Sequence, residues 1–285
     1  MRKIIWAITL LAVAAAGLIA CINAPTASLI SAMRDKSAWL IASAMGAFVF
    51  SQVIRGIRLH LVLSGFRPKL TDTLRMQIIA SFLGHTISPM IQEATLLTLY
   101  GANRSGATKQ SHPIFLPAVL AIMATRLFDF LIILPLLLFF SPSLSFYQLF
   151  LVGTAIFIAS SLFVLPLVLE RIERHTLMTY HGATGVELVK LCASVRAVFL
   201  RMKIVQPDTL FLITILTLAG WGCEIYAIGS LLDTGMIESF RALISRIANI
   251  NSNHVDLQTT YDLLVMALGA CALIIIIFSR EDKPS

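Results

Sequence analysis

Long apolar stretches, repeated along the chain, limit what this sequence can fold into. They fall near residues 4–22, 37–54, 76–100, 113–140, 146–170, 207–232 and 260–279. A helix of about 18–20 apolar residues crosses roughly 30 Å of hydrocarbon, and several of these stretches are that long. Only 13% of the 285 residues are charged and 58% are hydrophobic, whereas soluble domains are about 25% charged. The sequence therefore predicts an all-α membrane protein that crosses the bilayer several times.

The first apolar stretch has two interpretations. A basic start followed by an apolar run to Ile22 is similar to a signal peptide, and Leu18–Cys21 is similar to a lipoprotein cleavage site. The run of about 19 residues is long for the apolar core of a signal peptide, and further spans follow. We expect an uncleaved first transmembrane helix, with processing at Cys21 as the alternative.

Basic residues between the spans predict the orientation. The segment 54–75 carries Arg55, Arg58, Arg67, Lys69 and Arg75, and the segment 171–206 carries Arg171, Arg174, Lys190, Arg196, Arg201 and Lys203. The positive-inside rule places both segments on the cytoplasmic side. The net charge of +7 is interpreted in the same way, as basic loops that face anionic lipid and not nucleic acid. We expect a multi-pass protein of the inner or plasma membrane with both termini in the cytoplasm.

Both basic segments reach the same side only if one apolar stretch doubles back. Residues 83–93 (LGHTISPMIQE) are too polar and too interrupted for a lipid-facing helix. Irregular backbone at membrane depth is tolerated only where protein or water surrounds it. We predict a re-entrant hairpin that breaks around Gly84–Pro89. The predicted fold is one membrane domain over 1–285, a helical bundle of about six transmembrane helices plus this hairpin.

Two further segments are predicted to contain helices. Residues 184–205 interleave apolar and basic side chains, which suits a helix lying on an anionic leaflet or a solvated linker helix; both interpretations stay open. Residues 233–259 form the predicted external loop, with a short amphipathic helix around Met236–Ile247.

Charged side chains at the predicted bilayer depth are the first functional candidates. Arg126 and Asp129 are three residues apart, share a helix face and lie midway along 113–140. A charge at that depth costs about 2.5–3.5 kcal/mol, so such groups face the bundle interior and pair. The pair is either a mutual salt bridge that locks helix packing or a polar station for a translocated head group.

Three more residues in the spans are candidates. Glu93, in the broken segment, is expected to pair with Arg126, hold a cationic head group or cap the second half-helix. His85 either joins this site or hydrogen-bonds the backbone. Glu224 follows Trp221 by three residues and lies deep enough to need a partner, for which Arg126 is the expected one.

Arg55 and Arg58 follow the second span and are also three residues apart. A basic pair at a cytoplasmic helix end usually anchors the helix by reaching toward lipid phosphates. Paired guanidinium groups also suit the binding of a phospholipid phosphate. The sequence by itself favours the anchor.

Enzyme motifs are missing from the sequence. It contains neither HExxH nor GxSxG, and the glycine spacing at 101–106 has Ala107 where a nucleotide loop needs lysine. Its four cysteines, Cys21, Cys192, Cys223 and Cys271, are scattered without a CxxC pair. We therefore predict no enzyme activity, no metal and no cofactor.

Three motifs in order resemble the flippase-like domain of the lysylphosphatidylglycerol synthase transmembrane family. They are the stretch from Arg55 to Arg58, the Ser88-Pro89-Met-Ile-Gln-Glu93 element and the Thr125-Arg126-Leu-Phe-Asp129 element, with the Trp221–Glu224 stretch as a fourth, looser match. The resemblance covers roughly 37–140 well and 207–232 loosely. It implies a lipid-translocating domain and nominates Arg55, Arg58, Pro89, Glu93, Arg126, Asp129 and Glu224.

The sequence also departs from the family pattern. The second motif lacks both glycines of the family's PGxxGE-like element, and Thr125 replaces the glutamate that precedes the arginine in the third. A later Pro-Gly-Gly-like element is not visible in 233–260, and no soluble aminoacyl-transfer domain follows. Lipid aminoacylation by this chain is therefore not expected.

These observations predict a flippase-like protein that moves or handles a polar-headed lipid between leaflets. The expected partners are membrane lipids, namely anionic or aminoacylated phospholipid, with a homo-oligomer or an envelope-biosynthesis partner also compatible. One alternative is a non-transporting partner in an envelope lipid or lipid-linked glycan pathway. A second is an intramembrane lipid transferase, for which His254 and Asp256 are the outer candidates.

Overall fold

The computed structural model describes residues 2–23, 34, 36–66, 68–104, 116–140, 146–179, 182–201, 206–247 and 255–279. Across these residues it contains ten α-helices and no strand. The helices are α1 (Arg2–Asn23), α2 (Ala38–Val62), α3 (Leu70–Thr86), α4 (Pro89–Arg104), α5 (Leu116–Phe140), α6 (Phe146–Thr179), α7 (Ala183–Arg201), α8 (Pro207–Leu232), α9 (Met236–Ile247) and α10 (Val255–Ser279). A short 3-10 helix, Ser64–Phe66, follows α2. The prediction of an all-α protein is confirmed.

Three helices within the described residues are long and apolar enough to cross a membrane. They cover Ala38–Val62, Pro207–Leu232 and Thr260–Ile277, with mean hydropathies of 1.6, 1.7 and 2.3. The 25 residues of α2 extend about 38 Å at 1.5 Å per residue, which exceeds the roughly 30 Å of hydrocarbon. Residues Ile4–Ile19 form a shorter apolar helix. The prediction of a helical membrane protein is confirmed at this level.

The chain divides into two compact units. The first comprises Met1–Ile57, Leu70–Lys109 and Leu218–Ser285, and the second comprises Arg58–Lys69 and Gln110–Thr217. Helices α2 and α8 contribute residues to both units. The single membrane domain over 1–285 stays a prediction of the sequence.

Helix α3 is the most enclosed helix of the first unit. Every residue from Met76 to Gly84 is buried, because α1, α4 and α10 pack against it from several sides. A Cβ atom built on Gly269 of α10 would lie 2.6 Å from the Phe82 ring, so glycine is needed for this close approach of α10 to α3. A helix covered on all sides has no solvent face, which explains why its sequence lacks amphipathic periodicity.

Helices α3 and α4 form a hairpin at the predicted break. Only Ile87 and Ser88 separate the two helices, and Gly84, one turn before the break, lies directly against the Gln92 side chain. The amides of Gln77 and Gln92 donate to the Ser81 hydroxyl at 2.9 and 3.2 Å, inside the hairpin. Gln92, one of the polar residues that make this segment unsuitable for lipid, is therefore buried against protein.

The N-terminal helix α1 also belongs to the first unit. It contacts α3, α4 and α10 and contributes the fully buried residues Val13 and Ala16. The lipoprotein-like stretch Leu18–Cys21 continues the same helix, and the Cys21 side chain lies outside the described residues. The uncleaved first span stays a prediction.

In the second unit, the predicted span 146–170 continues as one 34-residue helix to Thr179. The prediction concerned the apolar span and not the end of the helix, and a helix can leave the hydrocarbon without a change of backbone. Helix α7 packs against α6, with the Arg196 guanidinium 3.5 Å from Glu170 and 3.3 Å from Glu173. The predicted helix in 184–205 is confirmed, and both interpretations of its surroundings stay predictions.

Helix α9 matches the predicted amphipathic helix at Met236–Ile247. It follows Asp233, whose φ of 55° is the left-handed conformation that commonly ends a helix; the amide of Thr234 then donates to the Gly229 carbonyl at 3.1 Å. On α9, Phe240 is buried and Ile237 is exposed. Its helical structure is confirmed, and its external position stays a prediction.

Candidate functional site: two buried ion clusters

The first unit contains a buried cluster around Glu224, here called the Glu224 cluster and defined as Ser51, Gln52, Arg55, Trp221 and Glu224. Three side chains of α2 donate to one carboxylate oxygen of Glu224, Oε1. The distances are 2.9 Å from Arg55 Nη2, 3.1 Å from Ser51 Oγ and 3.0 Å from Gln52 Nε2. The side chains of Arg55 and Glu224 are 11% and 3% exposed, so the ion pair is almost completely enclosed.

Helix spacing explains how the Glu224 cluster forms. Trp221 and Glu224 lie three residues apart on α8 and share a face. Both contact the Arg55 guanidinium. Its Cζ atom lies 5.1 Å from the centre of the Trp221 ring, and its Nη2 atom lies 2.9 Å from Glu224 Oε1. The ring offers its electron-rich face to the cation while the carboxylate neutralises the charge. The sequence correctly linked Trp221 with Glu224, although it did not identify Arg55 as their partner.

The second unit contains the Asp129 cluster, defined as Arg58, Asp129 and Thr217. Arg58 donates to both oxygens of Asp129, from Nη1 to Oδ1 at 2.5 Å and from Nη2 to Oδ2 at 2.9 Å. Nη1 also donates to Thr217 Oγ1 at 2.9 Å. The Arg58 and Asp129 side chains are 5% and 9% exposed. This two-pronged geometry is the strongest that an arginine and a carboxylate can form.

The partner predicted for Glu224 needs correction. Glu224 contacts Arg55 and not the expected Arg126. Asp129 forms a bidentate pair with Arg58 of α2, a partner that the sequence did not predict, and its pairing with Arg126 stays a prediction. Residue spacing identifies neighbours on one helix only. The partner of a buried charge depends on which helix packs opposite, and that choice is made by the tertiary structure.

The anchor interpretation of Arg55 and Arg58 is wrong for the same reason. Anchoring arginines extend toward lipid phosphates at the membrane surface, whereas these two are buried against carboxylates. The basic residues at the end of α2 are therefore part of the protein interior.

Three other predicted site residues lie on α4 and α5. Arg126 is half-buried on α5, one turn before Asp129, and Glu93 is half-buried on α4 in the first unit. The pairing of Glu93 with Arg126 stays a prediction. Pro89 is the first residue of α4, a position that suits proline because its missing N–H would have no partner within the helix.

His85 lies in a small aromatic cluster of the first unit. Its Nδ1 is 2.9 Å from the hydroxyl of Tyr261, and the ring centres of Phe48 and Tyr261 lie 5.6 and 5.5 Å from that of His85. The tyrosine hydroxyl is a partner that the sequence did not predict, and both interpretations of His85 stay predictions. The cluster joins α2, α3 and α10.

Sequence analysis missed Ser51, Gln52, Thr217 and Tyr261. Gln52 was detectable, because a buried amide in an apolar span needs a partner and it lies one turn before Arg55. No feature of the sequence indicated a role for Ser51 or Thr217. Thr217 Oγ1 donates to the Ile213 carbonyl at 2.7 Å, as threonine commonly does in any helix. The single hydroxyl proton of Ser51 is shared between the Phe48 carbonyl, at 2.7 Å, and Glu224 Oε1, at 3.1 Å.

No group of three His, Cys, Asp or Glu side chains is arranged to hold a metal ion in the part of the chain that the structure describes. His254 and the side chain of Asp256, the outer transferase candidates, lie outside the described residues. Comparison of the chain with protein-family models, curated proteins and solved structures finds no match. The fold and these clusters define an all-α membrane protein with buried arginine–carboxylate pairs.

Proposed function

We propose that this protein is a flippase-like integral membrane protein that moves or handles a polar-headed phospholipid between leaflets. The observation that supports this most is the pair of buried arginine–carboxylate clusters in long apolar helices. Ion pairs of this kind are weak evidence for stability, since well-packed apolar residues often replace them without loss. Ionisable groups inside transmembrane segments usually mark a substrate or ion pathway.

The proposed mechanism follows from the cost of moving a head group through hydrocarbon. Each polar group without a hydrogen-bond partner costs several kcal/mol there, and polar side chains at mid-depth lower that barrier. Arg126 offers bidentate contact to a phosphate, while Glu93 and Glu224 balance charge. The proposal includes no chemical step and no nucleotide, so transport is passive or ion-coupled. An anionic or aminoacylated phospholipid is the proposed substrate, as the resemblance to the flippase-like family also implies.

The proposal includes a topology. Helices α1, α2, α5, α6, α8 and α10 cross the inner or plasma membrane, and α3 with α4 forms the re-entrant hairpin. Both termini and the basic segments then lie in the cytoplasm, and residues 233–259 lie outside. The support is the positive-inside rule together with the burial of the polar residues Gln77, Ser81 and Gln92 inside the hairpin.

Cysteine labelling tests this topology. In a variant in which the four natural cysteines are replaced, Lys69→Cys and Lys109→Cys flank the hairpin, and Gly235→Cys precedes α9. A membrane-impermeant maleimide added to sealed, right-side-out vesicles is expected to label only the Gly235→Cys protein, and detergent is expected to expose all three. Labelling of positions 69 and 109 from opposite sides would show that the hairpin crosses the membrane.

Liposome reconstitution with fluorescent phospholipids tests transport. Arg126→Ala is expected to slow exchange between leaflets about tenfold or more, because a charge-assisted contact contributes roughly 1.5–3 kcal/mol. The matched control is Arg174→Ala, which removes an arginine that is 73% exposed and pairs with Glu170 on the surface of α6. Equal exchange rates in the wild type, both variants and protein-free liposomes would exclude lipid transport.

A non-transporting partner protein is the second candidate, because a bidentate buried pair such as Arg58–Asp129 also serves to hold helices together. The double exchange Arg58→Asp with Asp129→Arg distinguishes the two. If the pair has only a structural role, the exchange restores folding and every phenotype. If it belongs to a transport path, folding recovers and lipid movement stays slow.

A further inference from the structure

We infer that the Glu224 cluster binds the hydroxyl-bearing part of a lipid head group, with Gln52 as the acceptor. This rests on the proposed function and names its substrate class. The observation behind it is a buried carbonyl oxygen, Gln52 Oε1, that accepts no hydrogen bond from any described residue. The Gln52 residue is itself fully buried, with 0% exposure.

The orientation of the Gln52 amide follows from its chemistry. Nε2 lies 3.0 Å from both Glu224 Oε1 and Ser51 Oγ. Rotating the amide by half a turn would place a carbonyl oxygen against the carboxylate, and two acceptors repel each other. The nitrogen must therefore face Glu224, and Oε1 must face away from it. Buried polar atoms in folded proteins almost always have a partner, so this oxygen requires a hydrogen-bond donor.

The Glu224 cluster presents hydrogen-bond acceptors to a ligand, and its positive charge is already neutralised. Its one basic group, Arg55, already contacts Glu224 at 2.9 Å and stacks on Trp221. Arg55, Ser51 and Gln52 all contact Oε1 of Glu224. An ionised phosphate, which only accepts hydrogen bonds, would oppose these oxygens.

Charge balance then distinguishes a hydroxyl from an ammonium group. Arg55 and Glu224 together are neutral, so an ammonium group would bring an uncompensated charge into an enclosed site. A hydroxyl supplies the missing donor without a charge. Glycerol and sugar head groups both carry such hydroxyls. Gln52 is enclosed, so the inference requires α2 and α8 to separate around the cluster when a head group enters.

Lipid retention by the full-length protein in detergent tests the inference independently of transport. The probes share their acyl chains: phosphatidylglycerol, a glucosyl diacylglycerol, phosphatidylethanolamine, and phosphatidylpropanol, which matches phosphatidylglycerol in charge and size but lacks hydroxyls. One hydrogen bond predicts about fivefold greater retention of phosphatidylglycerol than of phosphatidylpropanol, quantified by mass spectrometry. If phosphatidylglycerol and the glucosyl diacylglycerol are both retained, the hydroxyl groups are sufficient. If only phosphatidylglycerol is retained, the phosphate contributes as well. Either result supports the inference.

Substitutions at two buried glutamines test whether Gln52 causes the preference for phosphatidylglycerol. Gln52→Met is expected to abolish the preference for phosphatidylglycerol. Gln77→Met replaces another buried glutamine of the first unit, which donates to Ser81 inside the hairpin, and is expected to retain the preference. Equal retention of phosphatidylglycerol and phosphatidylpropanol by the wild type overturns the inference, even if Gln52→Met fails to fold. It is also overturned if phosphatidylethanolamine is retained best, or if the preference survives in a folded Gln52→Met protein. If the protein prefers phosphatidylglycerol but does not exchange lipid between leaflets, transport is rejected and lipid binding at the Glu224 cluster is retained.

Discussion

Asp129→Ala is expected to lower the free energy of unfolding by about 3–5 kcal/mol, the usual effect of removing one partner of a buried ion pair. The substitution deletes both bidentate bonds and leaves the Arg58 guanidinium, 5% exposed, with Thr217 as its remaining contact within the Asp129 cluster. Its Nε is buried and donates to no described residue, so the unfilled hydrogen-bonding capacity would increase further. Unfolding of the purified protein in mixed micelles with increasing dodecyl sulfate measures the change.

The matched control is Glu187→Ala, which removes a carboxylate from a surface pair. Glu187 Oε1 lies 3.1 Å from Lys190, and the two side chains are 74% and 66% exposed. Exposed pairs contribute about 0–1 kcal/mol, so this variant is expected to unfold like the wild type. A similar small change for Asp129→Ala would mean that the Asp129 cluster is hydrated, and the argument from its burial would fail.

Replacing Arg55 and Glu224 together by methionine is expected to separate stability from function. Glu224→Met alone leaves the Arg55 charge buried without its carboxylate and is expected to cost about 3–5 kcal/mol. The double variant Arg55→Met with Glu224→Met removes both charges. It is expected to regain most of that stability, because apolar residues of similar volume often replace buried ion pairs without a net loss.

Lipid exchange is expected to behave differently in the same double variant. It is expected to slow about tenfold or more, since the charge-balancing carboxylate proposed for the path is lost together with its hydrogen bond to Gln52. The surface double variant Glu187→Met with Lys190→Met controls for the number of substitutions. A double variant that is stable and exchanges lipid at the wild-type rate would assign the Glu224 cluster a purely structural role.

The sequence predicted the helix break between α3 and α4 and the short helix α9 because both depend on local chemistry; the re-entrant course of α3 and α4 stays a prediction. Gly84 and Pro89 bracket a polar interruption that cannot face lipid, and the helix break falls between them. The boundary of α6 was harder to predict. The helix passes from apolar to charged residues and continues to Thr179, and backbone geometry does not change where hydropathy does.

The candidate site was only partly predictable. Asp129 and Glu224 stood out because an ionised group in an apolar span is costly and usually faces a partner or a pathway. Arg55 and Arg58 stood out as a basic pair at a helix end. The partner predicted for Glu224, Arg126, was wrong, and the pairing of Arg58 with Asp129 was not predicted. Gln52 was missed, although it supplies both a donor to Glu224 and the acceptor on which the lipid inference depends.

By itself, then, the amino-acid sequence determined that the chain forms apolar helices for a membrane and which ionisable residues lie within them. These properties follow from hydropathy and residue spacing along one helix. Only the tertiary structure decided that Arg55 meets Glu224 and Arg58 meets Asp129. The physical reason is that a buried charge takes its partner from whichever helix packs against it, and that neighbour is distant in sequence.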